Sequence, residues 1–241
     1  TRRTVQLLNH FGIKKQLTSY QEHNKREKGE YIVGLLKDGK NVVLVSDAGT
    51  PAISDPGEDL VKLCIENDLQ VTPIPGCVAG INALIVSGLP TRRFAFEGFL
   101  SVNKRHRKEH LESVKNDTHT LIFYEAPHKL PYTLADMLEI LGDRKIALCR
   151  ELTKIHEEII RTTLSEAQNL YTENSPKGEF VIVIEGAKEP EAEEAWWEEM
   201  SVAEHVEKYI SDGIDSKEAV KMVAKDRNLP KREVYNIYHK I

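Results

Sequence analysis

Apolar runs alternate with helical patterns along the chain up to about residue 187. Val42–Val45 has the pattern of a buried strand, four apolar residues without a polar one between them. We predict strands at residues 42–45, 70–74, 94–98, 120–124, 146–149, 158–162 and 179–184, and helices at residues 3–10, 25–38, 56–67, 77–87, 104–115, 128–141 and 164–171. The alternation predicts an α/β fold with a largely parallel sheet in the first half, and the later strands predict a mixed second sheet.

A shift in composition separates a small helical unit from the rest. We predict an α/β domain at residues 1–90, a second α/β domain at 91–187, an acidic linker at 188–200 and a helical unit at 201–241. Within that unit, Asp215 and Glu218 have the spacing of a capping box, and two short helices across a tight turn resemble a helix-turn-helix. Because Thr1 already stands in a helical pattern, we expect the natural protein to have a first strand before it.

Composition narrows the classes of function. No apolar run among the 241 residues approaches the length of a membrane span. Cys64, Cys77 and Cys149 lie in apolar stretches without C-x-x-C spacing, so we interpret them as reduced core residues. We therefore expect a cytoplasmic protein with neither a membrane segment nor a metal site. The net charge of −5 is spread unevenly along the chain, and this distribution indicates more about binding partners than the total charge does.

A loop rich in glycine and proline follows the first predicted strand. Residues 46–57 connect that strand to a helix for which Asp55 is the predicted N-cap, with Pro56 at the first helical position and Glu58 completing a capping box. Small ligands bind at such strand ends in α/β folds. Ordinary connections of this kind have about two to six residues, so the length favours a ligand loop over a plain connector.

Three further segments follow predicted strands. Pro75–Gly80 opens a helix with small residues, where a backbone can approach a ligand closely. Tyr124–His128 and Arg150–Glu157 place ionisable groups at the carboxyl ends of two strands. Either one alone can be a salt-bridged surface loop, but two at one edge of a sheet favour a functional site.

Positive charge is concentrated between residues 92 and 108. Six cations with scarcely an acid among them exceed what a solvated helix face requires, so we interpret them as contacts to RNA phosphates. These cations are Arg92, Arg93, Lys104, Arg105, Arg107 and Lys108. The helix pair of the C-terminal unit is equally typical of a structural element and of nucleic-acid binding, and its many basic residues favour the second.

Six segments together resemble a known family. In order and spacing, the chain resembles the bacterial ribosomal RNA small subunit methyltransferase I family, which consists of S-adenosylmethionine-dependent enzymes of the tetrapyrrole methylase type. The resemblance is carried by residues 46–57, 75–76, 87–90, 125–128, 150–157 and 177–181.

That resemblance implies a fold and an activity. It implies two α/β domains with S-adenosylmethionine in the cleft between them, and a small C-terminal helical unit. It implies 2′-O-methylation of a cytidine ribose in 16S rRNA of the small ribosomal subunit by a cytoplasmic homodimer. By motif position, the donor contacts would be Asp47, Ala48, Gly49, Ile53, Val78, Ala79, Tyr124, Glu125 and Leu152. The candidates for handling the hydroxyl proton are Glu125, Lys154 and His156.

Two alternatives stay open. One is an enzyme of the same fold that methylates a tetrapyrrole or another small molecule, and the positive segment at residues 92–108 argues against it. The other is a non-catalytic RNA-binding relative, and the intact loops at residues 46–57 and 150–157 argue against that, because binding alone does not require them.

Overall fold

The computed structural model describes residues 2–173, 176–188 and 196–240. It divides into two compact units, residues 1–187 and 188–241. The boundary that we predict at residue 90 lies inside the first unit. The predicted acidic linker lies at the division, and its residues 189–195 fall outside the described part of the chain. None of the described helices combines the length and the apolar character that a membrane crossing requires.

The first unit contains one mixed sheet with helices on both faces. Its helices are α1 (Arg2–His10), α2 (Lys25–Lys37), α3 (Glu58–Glu66), α4 (Ala79–Ser87), α5 (Lys104–Val114), α6 (Leu130–Leu141) and α7 (Leu164–Glu173). Its strands are β1 (Phe94–Phe99), β2 (Thr120–Glu125), β3 (Lys145–Arg150), β4 (Glu158–Thr163) and β5 (Phe180–Ile184). The strand order is β1-β2-β5-β3-β4, in which β1 and β2 are parallel and the other pairs are antiparallel.

The central strand β5 is buried on both faces, as its uninterrupted apolar run predicts. Phe180, Ile182 and Ile184 join the larger core, which α5, α6 and α7 cover. Val181 and Val183 join a smaller core on the opposite face, where α4 packs against the sheet. Each fully buried side chain of this size stabilises the fold by about 1.5–3 kcal/mol. The sheet is therefore held rigidly between two helical layers.

Two predicted strands are wrong. Residues 42–45 and 70–74 are not strands in the described structure, and Val43 and Ile74 are 76% and 77% exposed. A strand forms only where neighbouring backbone groups complete its hydrogen-bond ladder, and an apolar run does not supply that neighbour. The largely parallel sheet that we predict for the first half is wrong for the same reason, since β1 and β2 form the one parallel pair among the described strands.

The predicted capping box at the start of α3 is also wrong. The helix begins at Glu58 with Gly57 as its N-cap, and no side chain caps it. Asp55 instead accepts a hydrogen bond from the Ser46 hydroxyl at 2.7 Å. That bond closes the loop between residues 46 and 55 on itself.

The second unit contains three short helices in its described part, consistent with the helical unit that we predict. They are α8 (Val202–Ser211), α9 (Ser216–Asp226) and α10 (Lys231–His239). Their shared core includes Val206, Val220, Val223 and Val234. Asp215 caps α9 by accepting a hydrogen bond from the backbone N–H of Lys217, whereas the full capping box in this unit belongs to α8.

Candidate functional site

A cavity of about 640 Å³ lies at one edge of the sheet in the first unit. The carboxyl ends of β1, β2 and β3 and the start of β5 form its floor. The segments 46–55, 77–82 and 151–154 form its walls. This is the edge at which the sequence places its ligand loops.

All of the residues that we predict as donor contacts line this one cavity. They come from four segments that are up to about a hundred residues apart in the chain. They are Asp47, Ala48, Gly49, Ile53, Val78, Ala79, Tyr124, Glu125 and Leu152. The fold therefore brings the motif positions together, and their role in donor binding remains our prediction.

The loop at residues 46–57 is fastened to the segment before α4. The backbone N–H of Thr50 donates to the carbonyl oxygen of Cys77 at 3.0 Å, and the Thr50 hydroxyl donates to the same oxygen at 3.2 Å. Gly49 has a φ of +68°, and a Cβ added there would stand 3.0 Å from that oxygen. The close approach therefore requires glycine. Cys77 is exposed and lines the cavity, so our placement of it in the core is wrong.

Tyr124 connects the start of α4 to the sheet. Its hydroxyl oxygen accepts a hydrogen bond from the backbone N–H of Gly80 at 2.9 Å. Burial is the main cause that raises the pKa of Tyr124 above its ordinary value, so the phenol remains neutral. The hydroxyl thus satisfies a backbone N–H in the first turn of α4, next to Val78 and Ala79.

Glu125 is a buried carboxylate whose two oxygens are both engaged. One oxygen accepts a hydrogen bond from the backbone N–H of Ala126 at 2.8 Å and lies 3.0 Å from the Lys129 ammonium. The other accepts from the Thr133 hydroxyl at 2.6 Å. Only 2% of Glu125 is exposed. Both oxygens of the carboxylate are therefore committed to partners within the fold. Its geometry supports the turn into α6.

Lys154 lies in the cavity wall between two carboxylates. Its ammonium is 2.9 Å from an oxygen of Glu179 and 2.9 Å from an oxygen of Glu151. The hydrogen bonds to Glu179 and then to Glu151 raise the pKa of Lys154 above its ordinary value. The same contact with Lys154, followed by the backbone N–H of Glu179, lowers the pKa of Glu151. Lys154 is therefore a cation at neutral pH.

His156 is exposed and lies outside the lining of the cavity. Of the three candidates for handling the hydroxyl proton, the structure brings Glu125 and Lys154 to the cavity and leaves His156 outside it.

Backbone strain is concentrated in the two polar walls of the cavity. Ala52, Ser54, Glu151 and Thr153 have φ between +49° and +66°, a region that side-chain-bearing residues rarely adopt. Each such residue costs on the order of 1–3 kcal/mol, and such strain is typical of ligand-binding loops. Thr153 is the most unfavourable of the four because its side chain is β-branched.

The six cations that we predict for RNA differ in their availability. Arg92, Arg93, Lys104 and Arg105 are exposed, although Arg105 also pairs with Glu109 at 2.8 Å. Lys108 pairs with Glu139 at 2.5 Å.

Arg107 is 8% exposed and bonds Asp136 of α6 at 2.7 Å, as well as the carbonyl oxygens of Ser101 and Val102. A buried, fully bonded guanidinium is turned away from any phosphate. We therefore remove Arg107 from the predicted RNA surface and assign it to the α5–α6 contact.

Sequence reasoning also missed the roles of Glu151, Glu179 and Phe99 in the cavity. Glu151 and Glu179, which hold Lys154, stand in motifs that the sequence singles out, but their pairing across 28 residues is a tertiary contact. Phe99 falls one residue beyond the predicted end of its strand, and the signal for it is Gly98, because a glycine inside a strand pattern is typical of a bulge. Among the described residues, no group of three or more His, Cys, Asp or Glu side chains is arranged to hold a metal ion.

Comparison with known proteins identifies the family. The family model of the tetrapyrrole (corrin/porphyrin) methylases matches residues 2–168. A protein of Halalkalibacterium halodurans named ribosomal RNA small subunit methyltransferase I is 53% identical over 240 residues, which are 99% of this chain and 83% of that protein. The chain belongs to the ribosomal RNA small subunit methyltransferase I family. A member from Bacillus subtilis is 51% identical, with 99% of this chain and 82% of that protein covered.

Solved structures confirm the fold that the family implies. Diphthine synthase superimposes with a TM-score of 0.54 at 14% identity, over 75% of this chain and 72% of that one. The methyltransferase CobJ superimposes with a TM-score of 0.52 at 18% identity, over 67% of this chain and 71% of that one. The predicted α/β fold of the tetrapyrrole methylase type is thereby confirmed.

Proposed function

We propose that this chain transfers a methyl group from S-adenosylmethionine to the 2′-hydroxyl of a cytidine ribose in 16S rRNA of the small ribosomal subunit. Membership of the family supports a methyltransferase that acts on ribosomal RNA. The observation that carries the proposal is the assembly of all predicted donor contacts around a single cavity, next to the fixed cation Lys154.

The cavity suits a nucleoside-bearing donor. Its volume of about 640 Å³ falls within the range of small-molecule sites, about 300–1,000 Å³. The glycine cradle at Gly49 brings bare backbone to the wall, while Ile53 and Leu152 offer apolar surface to an adenosine. The exposed carboxylate of Asp47 supplies negative charge toward the positive groups of the donor.

Positioning is the main task of the residues around the cavity. When bound, S-adenosylmethionine supplies a methyl group on a sulfonium sulfur, which becomes a neutral thioether as the ribose oxygen takes the methyl carbon. The walls align the donor and the ribose, which lowers the entropic cost of reaction. Lys154 remains charged at neutral pH and holds Glu151 and Glu179 together in the cavity wall that aligns the ribose.

Neither candidate base at the cavity is available for the hydroxyl proton. Glu125 already accepts from a backbone N–H and a hydroxyl, and Lys154 has no unprotonated form at neutral pH. We therefore infer that water takes the proton as the oxygen is methylated, and that Glu125 and Lys154 act by holding the walls of the cavity in place.

The substrate RNA is held by the exposed part of the positive segment. Arg92, Arg93, Lys104 and Arg105 are the cations we assign to its phosphates, and the basic helical unit at the C-terminus provides a second surface. The homodimeric state and the cytoplasmic location follow from the resemblance alone and remain predictions. Sedimentation of the intact protein tests the first of them.

Transfer of labelled methyl groups distinguishes this function from its alternatives. The intact protein is incubated with labelled S-adenosylmethionine and either unmethylated small ribosomal subunits or a porphyrinogen. We expect label in the RNA of the subunit alone. Label in the porphyrinogen would favour the small-molecule enzyme, and binding to the subunit without transfer would favour the non-catalytic relative.

A further inference from the structure

Phe99 is a large aromatic side chain that the fold leaves exposed at the mouth of the cavity. It is the last residue of β1 and 53% exposed, and it belongs to the cavity lining. An exposed phenylalanine at a polar site gains nothing from the hydrophobic effect until something covers it. Its position therefore indicates a contact surface.

A bulge in β1 turns Phe99 toward the cavity. The pairing of β1 with β2 shifts between Phe96 and Gly98, so that Phe99 rather than Gly98 stands opposite Tyr124. Because side chains alternate along a strand, a regular β1 would have sent Phe99 to the opposite face. Gly98 permits the bulge with its φ of +65°. Bulges of this kind commonly re-aim a side chain next to an active site.

The extra residue of the bulge is anchored to the helix behind it. Glu97 forms a hydrogen bond of 2.8 Å with the ring of His110 on α5. Both side chains are largely buried, at 18% and 32% exposed. The bulge is thus a fixed element rather than a loose strand end, and the direction of Phe99 is fixed with it.

The ring itself is held by two neighbours. Tyr124 packs edge-to-face against it, with ring centroids 5.5 Å apart. The Lys129 ammonium lies 5.9 Å from the ring centroid and is anchored by Glu125 at 3.0 Å. A fixed aromatic face beside a cation is suited to a nucleobase, which has a π-face of its own and is linked to a phosphate.

We propose that the base of the target nucleotide stacks on Phe99 while its ribose enters the cavity. This inference rests on the proposed function, because it requires an RNA substrate. When a nucleotide leaves its stack to place its ribose in the cavity, an aromatic platform replaces the lost stacking. The exposed cation Lys104 begins α5 five residues after Phe99 in the chain.

The test compares two phenylalanines of the same strand. Phe99→Leu removes the aromatic face, and Phe99→Tyr retains it. Phe94→Leu is the matched control, because Phe94 is also half-exposed at 40% but lies outside the cavity lining. For each variant we would measure kcat and KM for small ribosomal subunits, the Kd of S-adenosylmethionine by calorimetry, and the melting temperature.

We expect Phe99→Leu to lower kcat/KM for the subunit by roughly five- to a hundredfold, the range for one base–aromatic stack. The donor Kd should stay within about twofold of wild type, and Phe99→Tyr and Phe94→Leu should remain near wild-type activity. If Phe99→Leu melts lower than wild type, Phe99→Met, whose flexible side chain fills irregular space, takes its place.

Two results would overturn the platform while the proposed function stands. One is an unchanged kcat/KM in Phe99→Leu. The other is a donor Kd that rises as much as kcat/KM falls, which would place the ring in the donor site. A wild-type protein that transfers no methyl group to the subunit would instead overturn the function and the platform together.

Discussion

The Cβ position of Gly178 lies 2.5 Å from the Cγ of Glu151, inside van der Waals contact. Any side chain at residue 178 would therefore displace Glu151. Glu151 in turn bonds the Lys154 ammonium and the backbone N–H of Glu179. Because Gly178 has no side chain, there is room for the Glu151 carboxylate. Together with Glu179, this carboxylate holds the Lys154 ammonium from two sides in the cavity wall.

Gly178→Ala should lower the melting temperature and the rate of methyl transfer together. The new methyl group pushes Glu151 away from Lys154, and the φ of +90° strains any residue other than glycine. Gly142→Ala is the matched control, because Gly142 has a similar φ of +80° but no atom near its Cβ position. Calorimetry and turnover of the two variants separate the clash from the strain. Equal losses of melting temperature and turnover in the two variants would show that the displacement of Glu151 does not contribute.

Lys154→Gln should lower turnover by roughly ten- to a hundredfold with little change in donor Kd, because the loss of the cation lets Glu151 and Glu179 separate and loosens the wall that aligns the ribose. Lys154→Arg should keep more of the activity. Lys145→Gln serves as the control, since Lys145 is exposed at the opposite end of β3. Wild-type turnover in Lys154→Gln would contradict this positioning role.

The cluster of Glu151, Lys154 and Glu179 should stabilise the fold at intermediate pH and not at the extremes. The pKa of Glu151 is lowered from 4.5, so its contribution is present above that pH and is lost as the pH falls through the folded-state pKa. The pKa of Lys154 is raised from 10.5, so its contribution is present below that pH and is lost as the pH rises through the folded-state pKa. In melting curves, Lys154→Gln should differ from wild type most between about pH 5 and pH 10. A constant difference from pH 3 to pH 12 would count against the ion pairs.

Gly49→Ala should weaken donor binding. The added methyl group would stand 3.0 Å from the Cys77 carbonyl oxygen, and the loop at residues 46–57 must then move away from the segment before α4. Gly39→Ala is the matched control. Gly39 has a similar φ of +77°, so the variant has the same backbone strain, but no atom lies near its Cβ position. Titration calorimetry with S-adenosylhomocysteine measures the difference. An unchanged Kd in Gly49→Ala would remove this loop from the donor site.

Replacing Arg92, Arg93, Lys104 and Arg105 together by Ala should weaken RNA binding and reduce its dependence on salt, because fewer counterions are released. The exposed lysines Lys14, Lys15, Lys37 and Lys40 provide a control with the same loss of charge. Filter binding over a salt series tests both sets. If the two sets behave alike, net charge rather than a defined surface explains the binding.

Arg107→Ala should behave differently from that set. It leaves the buried Asp136 without its partner, which costs about 3–5 kcal/mol of unfolding free energy. Chemical denaturation measures this loss. A stable Arg107→Ala with weakened RNA binding would return Arg107 to the RNA surface.

The sequence alone predicted the structure correctly where a segment's own residues determine its conformation. The apolar run of β5 predicts a strand buried on both faces, and the motif loops predict the edge of the sheet at which the cavity lies. Prediction from the sequence failed where a residue far away in the chain determines the conformation or the contacts of a segment. Residues 42–45 have the pattern of a strand but no ladder partner in the described chain, and Arg107 resembles a phosphate contact until Asp136, 29 residues away, buries it. The bulge at Gly98 is likewise a property of pairing with β2.

The identity of the methylated nucleoside tests the central proposal most directly. Unmethylated small ribosomal subunits are incubated with the intact protein and S-adenosylmethionine, and the 16S rRNA is digested to nucleosides. The products are separated by chromatography and fragmented in a mass spectrometer, which distinguishes a methyl group on the sugar from one on the base. The proposal predicts 2′-O-methylcytidine, formed in proportion to the donor consumed and strongly reduced in Lys154→Gln. A methyl group on a base, or on the ribose of another nucleoside, would contradict it.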